Sequence, residues 1–539
     1  MTDGTRALAI PTPKAGVVAR PSAGSSSRIF PLALAALTMG AVVASIGPWP
    51  VGVFQDDGIY TVLAKSLANG EGYRFLQMPG APNATHYPPL YPLFLALMWK
   101  LAPPFPQNVV VFKFANAVLL AIAAVGTFRF ARTWGGLGER GAALMTAAFV
   151  SCAPLVLLSV MVLSEPLFLV ALIPTVIAAE RAARSGRVRE AAIAGAAAGI
   201  LSLIRSLGLL VAPATVLVLL YRRRWAAAGA VVLGAAILVS PWQLWVIQHA
   251  HEVPDIYLGK YGSYFGWWTQ AIGAEGVGWV GHVAIHNLRM IAAQGWATTS
   301  TEGFPLLVRL SATVSLTAFF LGGLLRLRRR LPVTALFVVC YLGMVVVWPF
   351  APARFTWGIW PLVGLCYACA VQWVGERWTN AAPERNARRA WPAVSGVAAV
   401  ALLVGYASYN AKAVSRGWWT TLQRDVAERA LPIAEWVLEN TKPADILATD
   451  DDILISLYTG RRTVPTGPFT AQEHLSPQTP AFAADGLREI LQRYRPDYVI
   501  ASTRYATYAT NALVVGPNAR IRVAAVLPSG AIYVPVDTQ

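Results

Sequence analysis

Charge is scarce in this sequence. Only 13% of its 539 residues are Asp, Glu, Lys or Arg, against roughly 25% in soluble domains. With 56% of residues hydrophobic and a mean hydropathy of +0.50, a soluble fold is excluded and much of the chain is expected in lipid. Acids are scarcer than bases, 27 against 44, which leaves a net charge of +17. A basic excess of that size suggests a nucleic-acid partner, but no nucleic-acid motif is present. The Arg residues sit instead in short clusters between apolar runs, the pattern of charges that hold loops on the cytoplasmic side. Cysteine is limited to Cys152, Cys340, Cys366 and Cys369, all in apolar stretches, so no disulfide framework holds the polar segments. Cys366 and Cys369 read as two small residues on one helix face rather than as a redox or metal motif. A Gly-rich nucleotide loop is missing, and so is a cleavable signal peptide. Residues 1–28, rich in Ser, Pro, Ala and Gly, read as a disordered cytoplasmic lead before an uncleaved first anchor.

Long apolar runs are what the sequence has in abundance. A spanning helix needs about 20 mostly apolar residues. Eleven runs qualify or nearly so: 29–49, 109–130, 141–160, 163–179, 191–204, 207–221, 225–247, 306–325, 332–348, 356–374 and 394–409. The fifth and sixth are short and read as a helical hairpin, a single bent helix being the alternative. With the N-terminus inside, the inside segments collect Arg132 and Arg140, the cluster Arg181 to Arg189, the triplet Arg222 to Arg224, the cluster Arg326 to Arg330, and Arg377 to Arg389. The short outside turns keep only Arg205 and Arg354. That asymmetry fixes the expected orientation. The expected fold is a polytopic α-helical membrane protein of about eleven transmembrane helices, residues 29–409, with outside segments 50–107 and 249–305. Residues 410–539 form a small extracytoplasmic α/β domain. Its expected elements are an amphipathic helix over 426–440, strands over 445–449, 498–502 and 532–536, and a helix over 487–494, an alternation that suggests a partly parallel sheet.

The first outside segment carries the sharpest chemical signal. Asp56 and Asp57 follow the first span at once, and ionisable groups at a membrane boundary are functional candidates. A carboxylate there suits a general base acting on a hydroxyl, and a pair suits a divalent cation held against phosphate. The plain alternative is that Asp57 caps a helix starting near Gly58. Further on, Ser164, Glu165 and Pro166 open the fourth span, where they equally read as a helix start with Ser164 capping and Pro166 in its first turn. Arg205 and Arg354 offer planar guanidinium forks suited to a phosphate, or they snorkel toward head groups. An aromatic-rich stretch, residues 257–268, suits the membrane interface better than a sugar platform.

The acid pair, the following I-Y-x-x-x-A-x-x-L-x-x-G-x-G-Y pattern from Ile59 to Tyr73, and Tyr87-Pro88-Pro89-Leu90-Tyr91-Pro92 together resemble the GT-C glycosyltransferases. The likeness is strongest to the protein O-mannosyltransferases and the aminoarabinose transferases of lipid A, and it covers roughly the first three-quarters of the chain. The resemblance implies a sugar donor carried on a polyprenyl phosphate and two juxtamembrane helices in the first outside segment. The second element, residues 86–101, is short, begins with prolines and reads as a helix along the membrane surface. The resemblance also implies that Asp56 is the catalytic base, with Asp57 and Glu165 as further acidic positions of the active site. Arg354, Arg205 and His86 would contact the donor phosphate, and Tyr60, Tyr87 and Tyr91 would position substrate. One departure stands out: some relatives carry Lys immediately before P-P-L-Y, where this chain has Tyr87.

The expected function is therefore a membrane glycosyltransferase. It would move a sugar from a polyprenyl-phosphate carrier to a glycan, lipid or protein hydroxyl at the outer face of a bacterial cytoplasmic membrane, with inversion. No cofactor is required by this reading, and a divalent metal remains an open alternative. A secondary transporter would instead show repeats and charges near the bilayer midplane. A lipid-linked glycan ligase or polymerase would share the chemistry with a different placement of its large outside loop.

Overall fold

Among the described residues each apolar run of the sequence contains a helix, because inside lipid a backbone can satisfy its polar groups only within the segment itself. The computed structural model describes residues 29–536 apart from 48–49, 103, 153–157, 159–160, 298–304, 382–384, 418–420 and 515–519. The expected lead, residues 1–28, lies outside the described residues, as does most of 152–160, the end of the third run.

Helix α1 (Ile29–Ser45) leads into the two helices of the first long connection, α2 (Asp56–Ala68) and α3 (Leu90–Leu101). Then come α4 (Asn108–Phe130), α5 (Glu139–Ser151), α6 (Glu165–Ser185), α7 (Val188–Ile204), α8 (Val211–Tyr221) and α9 (Trp225–His249). The second long connection carries α10 (Tyr264–Glu275) and α11 (Val277–Ala297). It is followed by α12 (Leu306–Arg330), α13 (Pro332–Val347), the short α14 (Pro352–Trp357), α15 (Trp360–Ala381) and α16 (Arg385–Ser415). Among the described residues, five helical stretches are long and apolar enough to cross a membrane by length and composition: Asn108–Gly135, Glu165–Ser185, Trp225–Glu252, Leu306–Arg330 and Ala390–Ser415. Four shorter apolar helices accompany them. Helix α11, absent from the sequence expectation, packs against α12, α13 and α14.

Between α7 and α8 the chain breaks at Arg205, whose backbone is extended. A Cβ on Gly208 would lie 2.6 Å from the Leu201 side chain and 2.8 Å from its backbone. Residues seven apart on a continuous helix stand about 10 Å apart, so the chain doubles back here rather than bending gently. Close helix pairs are made by small residues, as expected where lipid gives no hydrophobic drive between helices. A Cβ on Gly195 would fall 2.1 Å from the Val231 carbonyl, one on Gly234 2.4 Å from that of Ala192, and one on Gly323 1.8 Å from that of Cys366. Cys366 and Cys369 are buried free thiols on this α12–α15 contact.

The Arg clusters meet at one end of the bundle. Arg330 donates to the Trp134 carbonyl at 2.9 Å, Arg184 to the Arg330 carbonyl at 3.2 Å, and Arg222 to the Ala183 carbonyl at 2.6 Å. Glu165 and Ser185 close the two ends of α6, about 30 Å apart at 1.5 Å per residue. The acids of interest therefore lie at the other end.

There a mixed sheet sits against the helices. After α17 (Thr421–Asn440) come β1 (Ile446–Thr449), α18 (Asp452–Thr459), β2 (Arg462–Val464), α19 (Pro480–Tyr494), β3 (Tyr498–Ala501), α20 (Arg504–Val514), β4 (Ile521–Leu527) and β5 (Gly530–Pro535). The strand order is β2-β1-β3-β5-β4, with β1 parallel to both β2 and β3 and the last two strands antiparallel. The unit is seated on the first connection. The Thr463 amide donates to the Gln77 carbonyl at 2.7 Å, and the Val51 amide to the Tyr458 hydroxyl at 3.2 Å. Gly58 of α2 lies so close to α18 that a Cβ would come within 2.5 Å of Ile453. The aromatic stretch 257–268 departs from the expected interfacial role. Tyr257 and Tyr261 are fully buried, the first donating to the Pro465 carbonyl at 2.9 Å and the second to Asp452. Only Phe265 is largely exposed.

Candidate active site

The turn before α2 decides where its two acids point. Gln55 takes a left-handed backbone (φ 58°) as the residue preceding the helix, so Asp56 and Asp57 leave the turn in different directions. Asp57 is not the helix cap that the plain alternative makes it. It is the second helical residue, and its Oδ1 accepts the amides of Phe54 and Gly58, both at 2.9 Å. Burial pushes its carboxyl up to about 6 against those amide bonds. It braces the turn.

Asp56 faces the ends of the helix bundle. Its Oδ2 lies 2.6 Å from Arg354 Nη1, and its Oδ1 accepts the Tyr87 hydroxyl at 2.6 Å. Burial alone would raise its carboxyl, but the Arg354 guanidinium and the Tyr87 hydroxyl outweigh burial and hold it below the usual carboxylate range. Arg354 reaches a second acid from the same fork, its Nε standing 2.9 Å from Glu165 Oε1. Arg205 Nη1 approaches that same oxygen at 2.7 Å. Two cations and two anions thus form one continuous chain, Asp56–Arg354–Glu165–Arg205, drawn from residues 56, 165, 205 and 354. Phe54 lies under Arg354, with the guanidinium carbon 4.9 Å from the ring centre. Such a network outlasts burial because each charge is paired. Even so, among the described residues Arg354 Nη2 and Glu165 Oε2 are buried without hydrogen-bond partners.

Ser164 takes a different part from that expected of it. It precedes α6 yet caps no amide. Its hydroxyl bonds Tyr60 at 3.0 Å and accepts from Arg205 at 3.1 Å, which ties α2 to the break after α7. Tyr87 therefore touches the ionic chain directly, and Tyr60 reaches it through Ser164. Tyr91 lies behind them, fully buried, edge-on to Tyr60 and hydrogen-bonded to Asn116. His86 is turned to the second connection, its Nδ1 2.5 Å from the Gly262 carbonyl. Burial lowers it to about 4, so at neutral pH it is an uncharged donor to that carbonyl and adds no positive charge for a phosphate.

Tyr264, from the aromatic stretch 257–268, also joins the cluster, its ring 4.2 Å from that of His86. Two further neighbours were not singled out from the sequence: Tyr341, buried and donating to the Phe355 carbonyl at 2.8 Å, and Phe54. Phe54, two residues before the acid pair, is the one with a local signal. Tyr341 comes from an uninterrupted apolar run and has none.

Paired acids also suit a divalent cation. The residues here do not fit one held by protein ligands. Both Asp56 oxygens are taken by Arg354 and Tyr87, Asp57 serves backbone amides, and the engaged oxygen of Glu165 lies between two guanidiniums. Among the described residues no three His, Cys, Asp or Glu side chains converge.

No family model and no curated protein sequence matches the chain. Solved structures do. The crystal structure of ArnT from Cupriavidus metallidurans bound to undecaprenyl phosphate aligns with a TM-score of 0.56 at 14% identity, covering 96% of this chain and 99% of that one. The same protein in the apo state aligns with a TM-score of 0.51 at 13% identity, covering 95% and 99%. At such identities the likeness is one of fold. The chain shares the fold of ArnT over nearly its whole length.

Proposed function

We propose that this chain, built on the GT-C fold, is a glycosyltransferase. It takes a sugar from a polyprenyl-phosphate carrier and passes it to an acceptor hydroxyl at the outer face of a bacterial cytoplasmic membrane. The observation that carries this reading is the state of Arg354. Its guanidinium is largely buried, it bridges Asp56 and Glu165, and its buried Nη2 faces no partner among the described residues. A buried unpaired donor is costly, and a phosphate oxygen delivered by a lipid carrier would satisfy it. The ArnT structure holding undecaprenyl phosphate on the same fold agrees with that use.

In this reading Asp56 is the base. It takes the acceptor hydroxyl proton as that oxygen attacks the anomeric carbon from the face opposite the phosphate. The new glycosidic C–O bond forms, the bond to phosphate oxygen breaks, and inversion follows. Arg354, with Arg205 beside it, stabilises the departing phosphate charge; preorganised cations are most effective where charge develops in a dry site. The geometry couples these roles. An incoming phosphate competes for Arg354 and loosens its hold on Asp56, which raises the basicity of Asp56 only when donor is bound. Tyr87 keeps the carboxylate oriented meanwhile. Glu165 holds both guanidiniums in register, and Ser164 with Tyr60 fixes Arg205. The test is transfer from a synthetic polyprenyl-phosphate sugar by purified protein, wild type against Asp56→Asn. Undiminished transfer by the variant overturns the mechanism.

A further inference from the structure

Three parallel strands of the C-terminal unit end on one cleft. Asp450 follows β1, Thr466 follows β2 and Thr503 follows β3. The chain leaves β1 toward β2 on one side and returns as β3 on the other. In open α/β sheets a crevice opens beyond the strand ends where the connections part in this way, and ligands bind there. Here the cavity measures about 230 Å³.

Its walls carry polar groups held in place from behind. Thr466 and Thr503 both donate to the Asp450 carboxylate. Glu473 is fixed by the Thr470 amide at 2.7 Å, and Gln478 by the Pro468 carbonyl at 2.8 Å. Lys260 lies within electrostatic reach of Asp450, Asp452 and Glu473. Among the described residues, its ammonium makes no ion pair with any of them. Phe469 and Tyr505 supply flat apolar surface, and Tyr505 is 44% exposed.

This combination selects a ligand class. Acids outnumber the single Lys, so a phosphate or nucleotide is disfavoured. No Gly-rich loop offers amides to one. Carboxylate, amide and ammonium groups spaced around a small cavity match neighbouring hydroxyls of a sugar ring, and aromatic faces match its C–H face. We propose that this cleft is a saccharide-binding subsite that holds one pyranose unit of a non-anionic glycan.

The cleft is also wired to the ionic chain. Lys260 is followed by Tyr261, bonded to Asp452, and by Gly262, whose carbonyl holds His86 at 2.5 Å. The next residue, Tyr87, holds Asp56 at 2.6 Å. A glycan seated in the cleft is thus placed as the acceptor, a clause that rests on the proposed transferase reading. The binding itself does not.

The experiment uses the full chain in lipid nanodiscs. Methyl glycosides of mannose, glucose and galactose and their trisaccharides are titrated by calorimetry and saturation-transfer NMR, with inorganic phosphate as the anionic control. At least one saccharide is expected to bind saturably, and Gln478→Ala and Tyr505→Ala are each expected to weaken it roughly tenfold. Arg504→Ala, on the same helix but outside the cleft, is expected to leave affinity unchanged, which separates a lost contact from a misfolded unit. Binding of none of the panel, equal affinity in the cleft variants, an equal loss in Arg504→Ala, or displacement by phosphate overturns the proposal. Because binding is read without turnover, failure of Asp56 as base leaves this result standing, and the converse holds too.

Discussion

Arg354 stands 2.6 Å from Asp56 through one nitrogen and 2.9 Å from Glu165 through another. Two acids more than a hundred residues apart are thereby held by one planar fork. A Lys ammonium has no such geometry. Arg354→Lys is therefore expected to retain charge but lose one of the two contacts, and Arg354→Ala to lose both. A charge-assisted contact contributes about 1.5 to 3 kcal/mol, so donor affinity should fall roughly ten- to a hundredfold in Arg354→Ala and less in Arg354→Lys. Donor-lipid binding by wild type and both variants checks the order. Normal binding by Arg354→Ala removes the phosphate role.

Asp56→Asn keeps the size and the Tyr87 contact but cannot take a proton. General bases contribute about a hundred- to ten-thousandfold in rate, so transfer should fall by that factor while donor binding is kept. Single-turnover transfer with carrier-linked sugar is the measurement, repeated with a chelator. Chelator-insensitive activity in the wild type is expected, since the acids are committed to Arg and amide partners.

Ser164→Ala breaks the Tyr60–Ser164–Arg205 tie without touching a charge. A loss of a few-fold up to tenfold in transfer is expected, at the scale of one neutral hydrogen bond of roughly 1 kcal/mol. Tyr60→Phe removes the same link from the other side. If Ser164→Ala and Tyr60→Phe each matter and the double variant adds nothing, the three groups act as a unit; additive losses would separate them.

Asp57 gives a pH signature. Its folded carboxyl is raised to about 6 from an ordinary value near 3.8, with burial as the leading cause. The native state then binds more protons than the unfolded state between those values, so Asp57 makes stability fall as pH rises through that window. Asn carries no such term. The melting temperature of Asp57→Asn relative to wild type should therefore climb from pH 4 to about 6.5 and then level. A difference that is flat across that range means Asp57 is not buried as described.

Much of this arrangement is legible in the chain itself, for identifiable reasons. Lipid imposes length and apolarity, so the long apolar helices announce themselves, and the doubling back at Arg205 agrees with the Arg clusters on either side of it. Asp56, Glu165, Arg205 and Arg354 stand out because charge is rare in their surroundings. Helix α11 escapes because His282, His286, Asn287 and Arg289 break its apolar pattern. Strand β2 has three residues, too few for any periodicity. The separate fates of Asp56 and Asp57 depend on the left-handed Gln55, a residue type that does not advertise such a backbone. Ser164 looks like a cap because local sequence favours that use; Tyr60 and Arg205, 104 and 41 residues away, redirect it. The burial of Tyr257 and Tyr261 likewise depends on partners about two hundred residues further on.

The contact between Gly58 and Ile453 has a consequence in time. The helix bearing Asp56 is among the first parts of the chain to be made, and the surface it rests on is among the last. At roughly 5–20 residues per second, the ribosome adds Ile453 tens of seconds after α2 has emerged. Until then nothing holds α2 from the C-terminal side. Assembly of the ionic chain therefore belongs to the end of biogenesis, and a chain arrested before α18 already carries Asp56, Glu165, Arg205 and Arg354, with no platform on which to set the helix that bears Asp56. Chains stopped just before α18, engineered with a stalling sequence, should insert yet leave the Asp56 turn open to proteolysis, and release past β5 should close it.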